Sequence, residues 1–243
     1  MKRKIRTGWV GLLVICAFAG TAWGQAKVVP PRLVAEPMWT FPAKAAQASL
    51  AEGSVEALLS VSDRGELTDF LILWASHSAF AEEIYRTLPE CRFSPARVRG
   101  EPAATRQPVT FYFKAEGRLV SMSASAVVER QLARFDEDRH RITWVCPPEQ
   151  LDRPLAPVQV VPPAYPDELR ARGEAGSVKI DFYVDGEGRV RLPAVDAGAH
   201  PSFARMAISA LQQWRFEAPT RGGRPVLVRV EQEFRFPSPP PET

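Results

Sequence analysis

Adding 123 to a residue number carries one stretch of this chain onto another without a gap. Gly53 falls on Gly176, Val55 on Val178, Val61 on Val184, Gly65 on Gly188, His77 on His200, Phe80 on Phe203 and Leu88 on Leu211. The register continues through Arg92-Phe93 on Arg215-Phe216, Gly100 on Gly223, Pro102 on Pro225, Arg106 on Arg229, Phe111 on Phe234 and Phe113 on Phe236. A constant offset over so many glycine, proline and aromatic positions is the mark of one supersecondary unit present twice. With 243 residues the chain has room for both copies, since domains usually take about 100 to 200 residues each. A unit of roughly 75 to 80 residues is near the size at which one core supplies only a few kcal/mol, so packing between copies or a disulfide would support it.

The second copy states the unit more clearly. Pro166 to Arg172 reads as a short helix, with proline at its start and Gly173 past its end. Val178, Ile180, Phe182 and Val184 alternate with Lys179, Asp181, Tyr183 and Asp185, the period of a half-buried strand. Asp185-Gly186-Glu187-Gly188 supplies hairpin-turn residues, and Val190 and Leu192 continue the apolar face on a second strand. Pro193 cannot donate to a ladder, which makes that strand an edge.

Phe203, Ala207, Leu211 and Trp214 form one stripe of a helix over Pro201 to Trp214. After Gly222-Gly223 comes the longest strand, with Val226, Val228, Val230, Gln232, Phe234 and Phe236 on one face and Leu227, Arg229, Glu231, Glu233 and Arg235 on the other. The expected fold is α+β: two tandem small modules, each a three-stranded antiparallel sheet with two helices in the order α-β-β-α-β. The first copy repeats it, except that Pro108 stands where the second has Glu231 and Cys91 where it has Trp214.

Outside the copies, Lys2, Arg3, Lys4 and Arg6 precede an apolar run and Ala22-Trp23-Gly24, the pattern of a secretory signal peptide over 1–24, with a retained membrane anchor as the alternative. Cleavage after Gly24 takes the formal charge from +3 to −1, which argues against a nucleic-acid partner. It also leaves two cysteines, Cys91 and Cys146, in an oxidising compartment. A disulfide between them and a buried thiol at Cys91 are both open readings. The expected modules are 37–115 and 163–237. Between them, 116–162 reads as an amphipathic helix over Ser123 to Phe135 followed by a proline-rich linker, and 238–243 as a disordered tail.

Catalytic and metal chemistry find little footing. His77 and His200 stand just before the second helix of each copy, where a polar side chain caps free N–H groups, and neither has a second ligand at metal spacing. With His140 the third histidine, no nucleophile–histidine–acid set can be assembled. Asp181, Asp185 and Glu187 fit a solvated hairpin better than a calcium loop. Trp214 falls on the apolar helix stripe and reads as core. No enzyme, metal or cofactor is expected.

Tyr165-Pro166, Gly176-Ser177-Val178, Val184-Asp185 with Gly188-Arg189-Val190, and Trp214-Arg215-Phe216 followed by Gly223 and Pro225 together resemble the TonB C-terminal domain of periplasmic energy transducers. The resemblance covers about 163–236, with a degenerate form over about 39–113. It departs from the family in lacking a histidine in the apolar N-terminal segment and in carrying Pro162-Pro163 before Tyr165. What it implies is a periplasmic protein, or one anchored in the inner membrane if the leader is uncleaved. Its last strand would dock an extended segment of an envelope partner, such as an outer-membrane receptor, in support of TonB-dependent transport. The implied docking edge is Val226, Leu227, Val228, Arg229, Val230, Glu231, Gln232, Glu233 and Phe234. The alternative is a scaffolding envelope protein whose edges self-associate or meet the cell wall without energy transduction.

Overall fold

The computed structural model describes residues 28–35, 39–115, 142–196 and 198–238. The chain divides into two compact units, Met1–Thr143 and Trp144–Thr243. The expected leader over 1–24, the helix over Ser123 to Phe135 and residues 239–243 of the expected tail lie outside the described residues.

The first unit contains β1 (Val28–Val29), β2 (Leu33–Ala35), α1 (Ala43–Gln47), β3 (Glu52–Val61), β4 (Leu67–Ala75) and α2 (Ser78–Thr87). It continues with β5 (Arg92–Phe93), β6 (Ala96–Val98), β7 (Glu101–Ala103), β8 (Thr105–Lys114) and β9 (Ile142–Thr143). Its main sheet runs β8-β3-β4-β9, antiparallel throughout. Val55, Ala57, Leu59 and Val61 of β3 are buried, as are Phe80 and Ile84 of α2 and Phe111 and Phe113 of β8. The alternation read from the sequence therefore points inward.

The second unit contains β10 (Val145–Cys146), β11 (Pro157–Gln159), α3 (Asp167–Arg170), β12 (Gly176–Val184), β13 (Val190–Val195) and α4 (Pro201–Leu211). It ends with β14 (Arg215–Phe216), β15 (Thr220–Arg221), β16 (Arg224–Pro225) and β17 (Leu227–Phe236). One core gathers Leu169 of α3, Val178, Ile180, Phe182 and Val184 of β12, Phe203, Ala207 and Leu211 of α4, and Phe234 and Phe236 of β17. Both helices thus cover the same sheet face. Trp214 belongs to this core, and its indole N–H donates to the Val161 carbonyl at 2.8 Å.

Both units carry the same local devices. The imidazole Nδ1 of His77 accepts from the Ala79 N–H, and that of His200 from the Ser202 N–H, each at 3.2 Å. These are the expected caps. Gly65 (φ +82°) and Gly188 (φ +76°) sit at the hairpin tips, where a Cβ would overlap the carbonyl oxygen of Phe93 or Phe216. Phe93 and Phe216 return their N–H to the same glycine's carbonyl at 3.2 and 2.9 Å. Only glycine permits both the left-handed φ and that approach, so these positions tie each hairpin to the chain after its helix. Pro193 lies on edge strand β13, at a bulge where Leu192 adopts φ +49°.

One expectation is corrected. Neither main sheet has three strands: the second runs β10-β17-β12-β13, and its added pair, β10 on β17, is parallel. The later part of the 116–162 segment is extended and belongs to the second unit. Within the second unit it pairs β11 with β14, and Asp152 accepts from the N–H groups of Gly222 at 2.7 Å and Gly223 at 2.9 Å. Extended, proline-containing chain is well suited to add short edge strands, and its own sequence does not say which strand it will meet. Cys91 is buried within the first unit and Cys146 within the second. Cys91 Sγ lies 3.7 Å from the Thr87 carbonyl, the small residue filling a core position that Trp214 fills in the other unit.

Candidate docking edge

A strand offers an interaction edge only where its outward N–H and C=O groups lack a ladder partner, and those groups alternate sides residue by residue. The side each group faces on β17 follows from two contacts. Strand β12 pairs with β17 without a register break from Gly176↔Phe236 to Val184↔Val228. Leu227 donates its N–H to the Trp144 carbonyl at 2.9 Å, on the β10 side. Arg229, Glu231, Glu233 and Arg235 therefore also turn their backbone groups away from β12, whereas Val228, Val230, Gln232, Phe234 and Phe236 bond to it.

Of the nine residues expected in the edge, Val226 precedes the strand, and its N–H goes to the Pro219 carbonyl at 3.0 Å. Leu227 and Val228 are in the strand but paired to Val145 and Cys146. The parallel pair Cys146↔Val228 also takes the Arg229 N–H, so on that side no strand pairs from the Arg229 carbonyl onward among the described residues. The intrachain strand stops where it does because Pro147 and Pro148 follow Cys146 and supply no N–H to continue the ladder. Sequence reasoning missed β10, and also Arg235, the last outward-facing residue.

The outer face beside this edge is charged and internally balanced. Arg229 Nε bonds Asp181 at 2.7 Å, Lys179 lies 3.5 Å from Glu231, and Arg235 pairs with Glu233 at 2.8 Å. The Arg235 guanidinium holds the Glu233 carboxyl below its usual range. Gln232, half-buried, donates its side-chain amide to the Glu233 carbonyl at 2.8 Å.

The acids once weighed as a cation loop do something else. Asp185 accepts at Oδ1 from the N–H groups of Glu187 and Arg189, both 3.0 Å, and at Oδ2 from Arg189 Nε at 3.0 Å and Arg191 at 3.3 Å. Burial pushes its carboxyl up, but these N–H groups and guanidiniums outweigh that and hold it low. It is a turn organiser. Among the described residues no cluster of three metal-ligating side chains occurs, and no helix is long and apolar enough to cross a membrane.

Residues 161–237 match the family described as Gram-negative bacterial TonB protein C-terminal. That stretch is similar to a TonB C-terminal domain. Protein TonB of Pseudomonas aeruginosa is 31% identical over 86 residues, 35% of this chain and 25% of that protein. Protein TonB of Vibrio cholerae is 28% identical over 90 residues, 37% of each. The chain thus spans a quarter to just over a third of the length of these two relatives. Among solved structures, the solution NMR structure of the Pseudomonas aeruginosa TonB C-terminal domain has 34% sequence identity, covers 34% of this chain and 84% of that one, and has a TM-score of 0.30. The match to the TonB C-terminal domain includes the core, the Asp185 turn and all of β17, but not β10 or Asp152.

Proposed function

We propose that this chain is a periplasmic TonB-like protein whose second module captures an extended segment of an envelope partner, of the outer-membrane receptor type, by adding a strand to β17 in support of TonB-dependent transport. In this reading the first module is a degenerate copy of the same domain, and selectivity comes from side chains flanking the edge. The observation that carries it is the run of outward backbone groups at Glu231, Glu233 and Arg235, beyond the end of β10 in a stretch that matches the TonB C-terminal domain. Main-chain pairing along such an edge supplies affinity with little demand on the partner's sequence. The first module supports the assignment to the second by contrast. In it, Ala115 donates to the Ala51 carbonyl at 2.8 Å, so by the same alternation Pro108 faces the outer edge of β8 and removes a donor there.

A pair of proline substitutions in the full chain tests the reading. Glu231→Pro removes an outward N–H beyond the end of β10 and is expected to abolish partner capture from envelope extract while leaving the thermal unfolding midpoint nearly unchanged. Val230→Pro removes a bond to β12 and is expected to lower stability by about 3 kcal/mol or more. Capture that survives Glu231→Pro in a folded protein would rule out strand addition at this edge. A protein that captures only copies of itself would favour the scaffolding role.

A further inference from the structure

The edge of β17 is guarded in two places in the unbound protein. At its start, β10 covers Leu227 and Val228, and it is secured by more than its own two residue pairs. Cys146 is buried, and a few residues on Asp152 grips both glycine N–H groups of the β15–β16 turn and donates its own N–H to the Thr220 carbonyl at 2.8 Å. Further along, the Glu233 carbonyl faces outward, where an added strand would place an N–H, yet it already accepts from the Gln232 amide at 2.8 Å. The equivalent of Gln232 in the first module is Val109, which is buried and has no polar group to offer. A glutamine at a core-facing strand position, reaching round to its neighbour's outward carbonyl, satisfies a group that an exposed edge would otherwise leave to any passing strand.

Resting on the strand-addition reading, we propose that Gln232 is a specificity-determining residue of the docking edge and that β10 is its fixed end stop. A partner segment pairs from the Arg229 carbonyl to Phe236 only, and it must replace the Gln232 amide on the Glu233 carbonyl with one of its own N–H groups. The segment that fits is short, extended and free of proline where its N–H must meet that carbonyl. Its side chains on the outer face need no net charge, because Arg229, Glu231, Glu233 and Arg235 are already paired.

The test uses the full chain lacking residues 1–24 and, as probe, a fluorescein-labelled octapeptide of alternating threonine and valine between terminal lysines. Gln232→Val introduces the residue that the first module tolerates, and Gln232→Met keeps an unbranched side chain without the donor. Both are expected to bind the peptide about two- to tenfold tighter than the parent, the scale of one neutral hydrogen bond no longer displaced. Amide exchange read by NMR is expected to show Glu231 and Glu233 gaining protection on binding, with Leu227 protected before and after. Unchanged or weaker binding in both Gln232 variants, while Glu231→Pro loses the peptide, overturns the role of Gln232 and leaves strand addition standing. Peptide binding that survives Glu231→Pro overturns strand addition itself, and no binding to any variant sinks both. Loss of Leu227 protection on binding would show β10 displaced and overturn the fixed stop.

Discussion

The two modules close their hairpins with the same geometry and different chemistry. In the first, Ser62 Oγ accepts from the N–H groups of Arg64 and Glu66 at 3.2 and 3.1 Å. In the second, Asp185 stands at the equivalent position and accepts from Glu187 and Arg189, adding two arginine side chains. A neutral acceptor is enough to form the turn. The charged one makes it stronger and exposes it to acid. The edges differ in parallel: Pro108 and Val109 on β8 correspond to Glu231 and Gln232 on β17. The first module has an edge blunted by covalent structure, whereas the second has one guarded by hydrogen bonds from within the chain.

The largest expected effect breaks the comparison at the core. Trp214 touches Phe216 and Phe234 and bonds Val161, while Cys91 fills the same position in the other unit. Trp214→Ala should cost about 3 to 5 kcal/mol in denaturant unfolding of the second unit, the range for truncating a buried aromatic. Cys91→Ala, which removes a single atom's volume, should cost far less.

Next comes the turn. The folded Asp185 carboxyl lies below its unfolded value, so its contribution is fully present above the ordinary aspartate range near ~4 and is lost as pH falls through the lower folded value. Asp185→Ser, which copies Ser62, should cost about 1 to 3 kcal/mol at neutral pH and flatten the acid limb of the unfolding profile. Retention of the full acid dependence would remove Asp185 as its source.

The smallest stability change belongs to the edges. Glu231→Pro removes an outward donor and should shift stability by no more than about 0.5 kcal/mol, as at most surface sites, while suppressing partner capture. The reciprocal Pro108→Glu restores a donor on β8 and should increase peptide binding by the first module. If Glu231→Pro unfolds the second module, the assignment of outward groups on β17 is wrong.

Much of this arrangement was legible beforehand because it is local. The alternation from Val178 to Val184, the stripe of α4, both histidine caps and Pro193 at an edge each depend on residues within a few positions. The polarity of the β17 edge was half legible: the sequence separates Arg229 from Val230, but not which N–H faces β12. What escaped was long-range. Val145 meets Leu227, and Asp152 meets Gly222 and Gly223, and a two-residue strand has no periodicity to read. One signal was available. Two successive glycines at φ +59° and +71° form a turn with paired N–H groups that calls for an acceptor, and Gly222-Gly223 was visible as a turn without its carboxylate.

The pairing of β10 with β17 also bears on the order in which the chain can assemble. Synthesis delivers Trp144 to Cys146 some eighty residues before their partners in β17, a closure whose entropy must be met before any contact rewards it. Strand β12 waits for the same element, because its longest ladder is also with β17. The last strand to emerge is therefore the one that completes the sheet on both sides. A chain cut short before Leu227 would leave β10 unpaired and β12 with one neighbour. The free edge of β17 comes into being only in a module that has already folded.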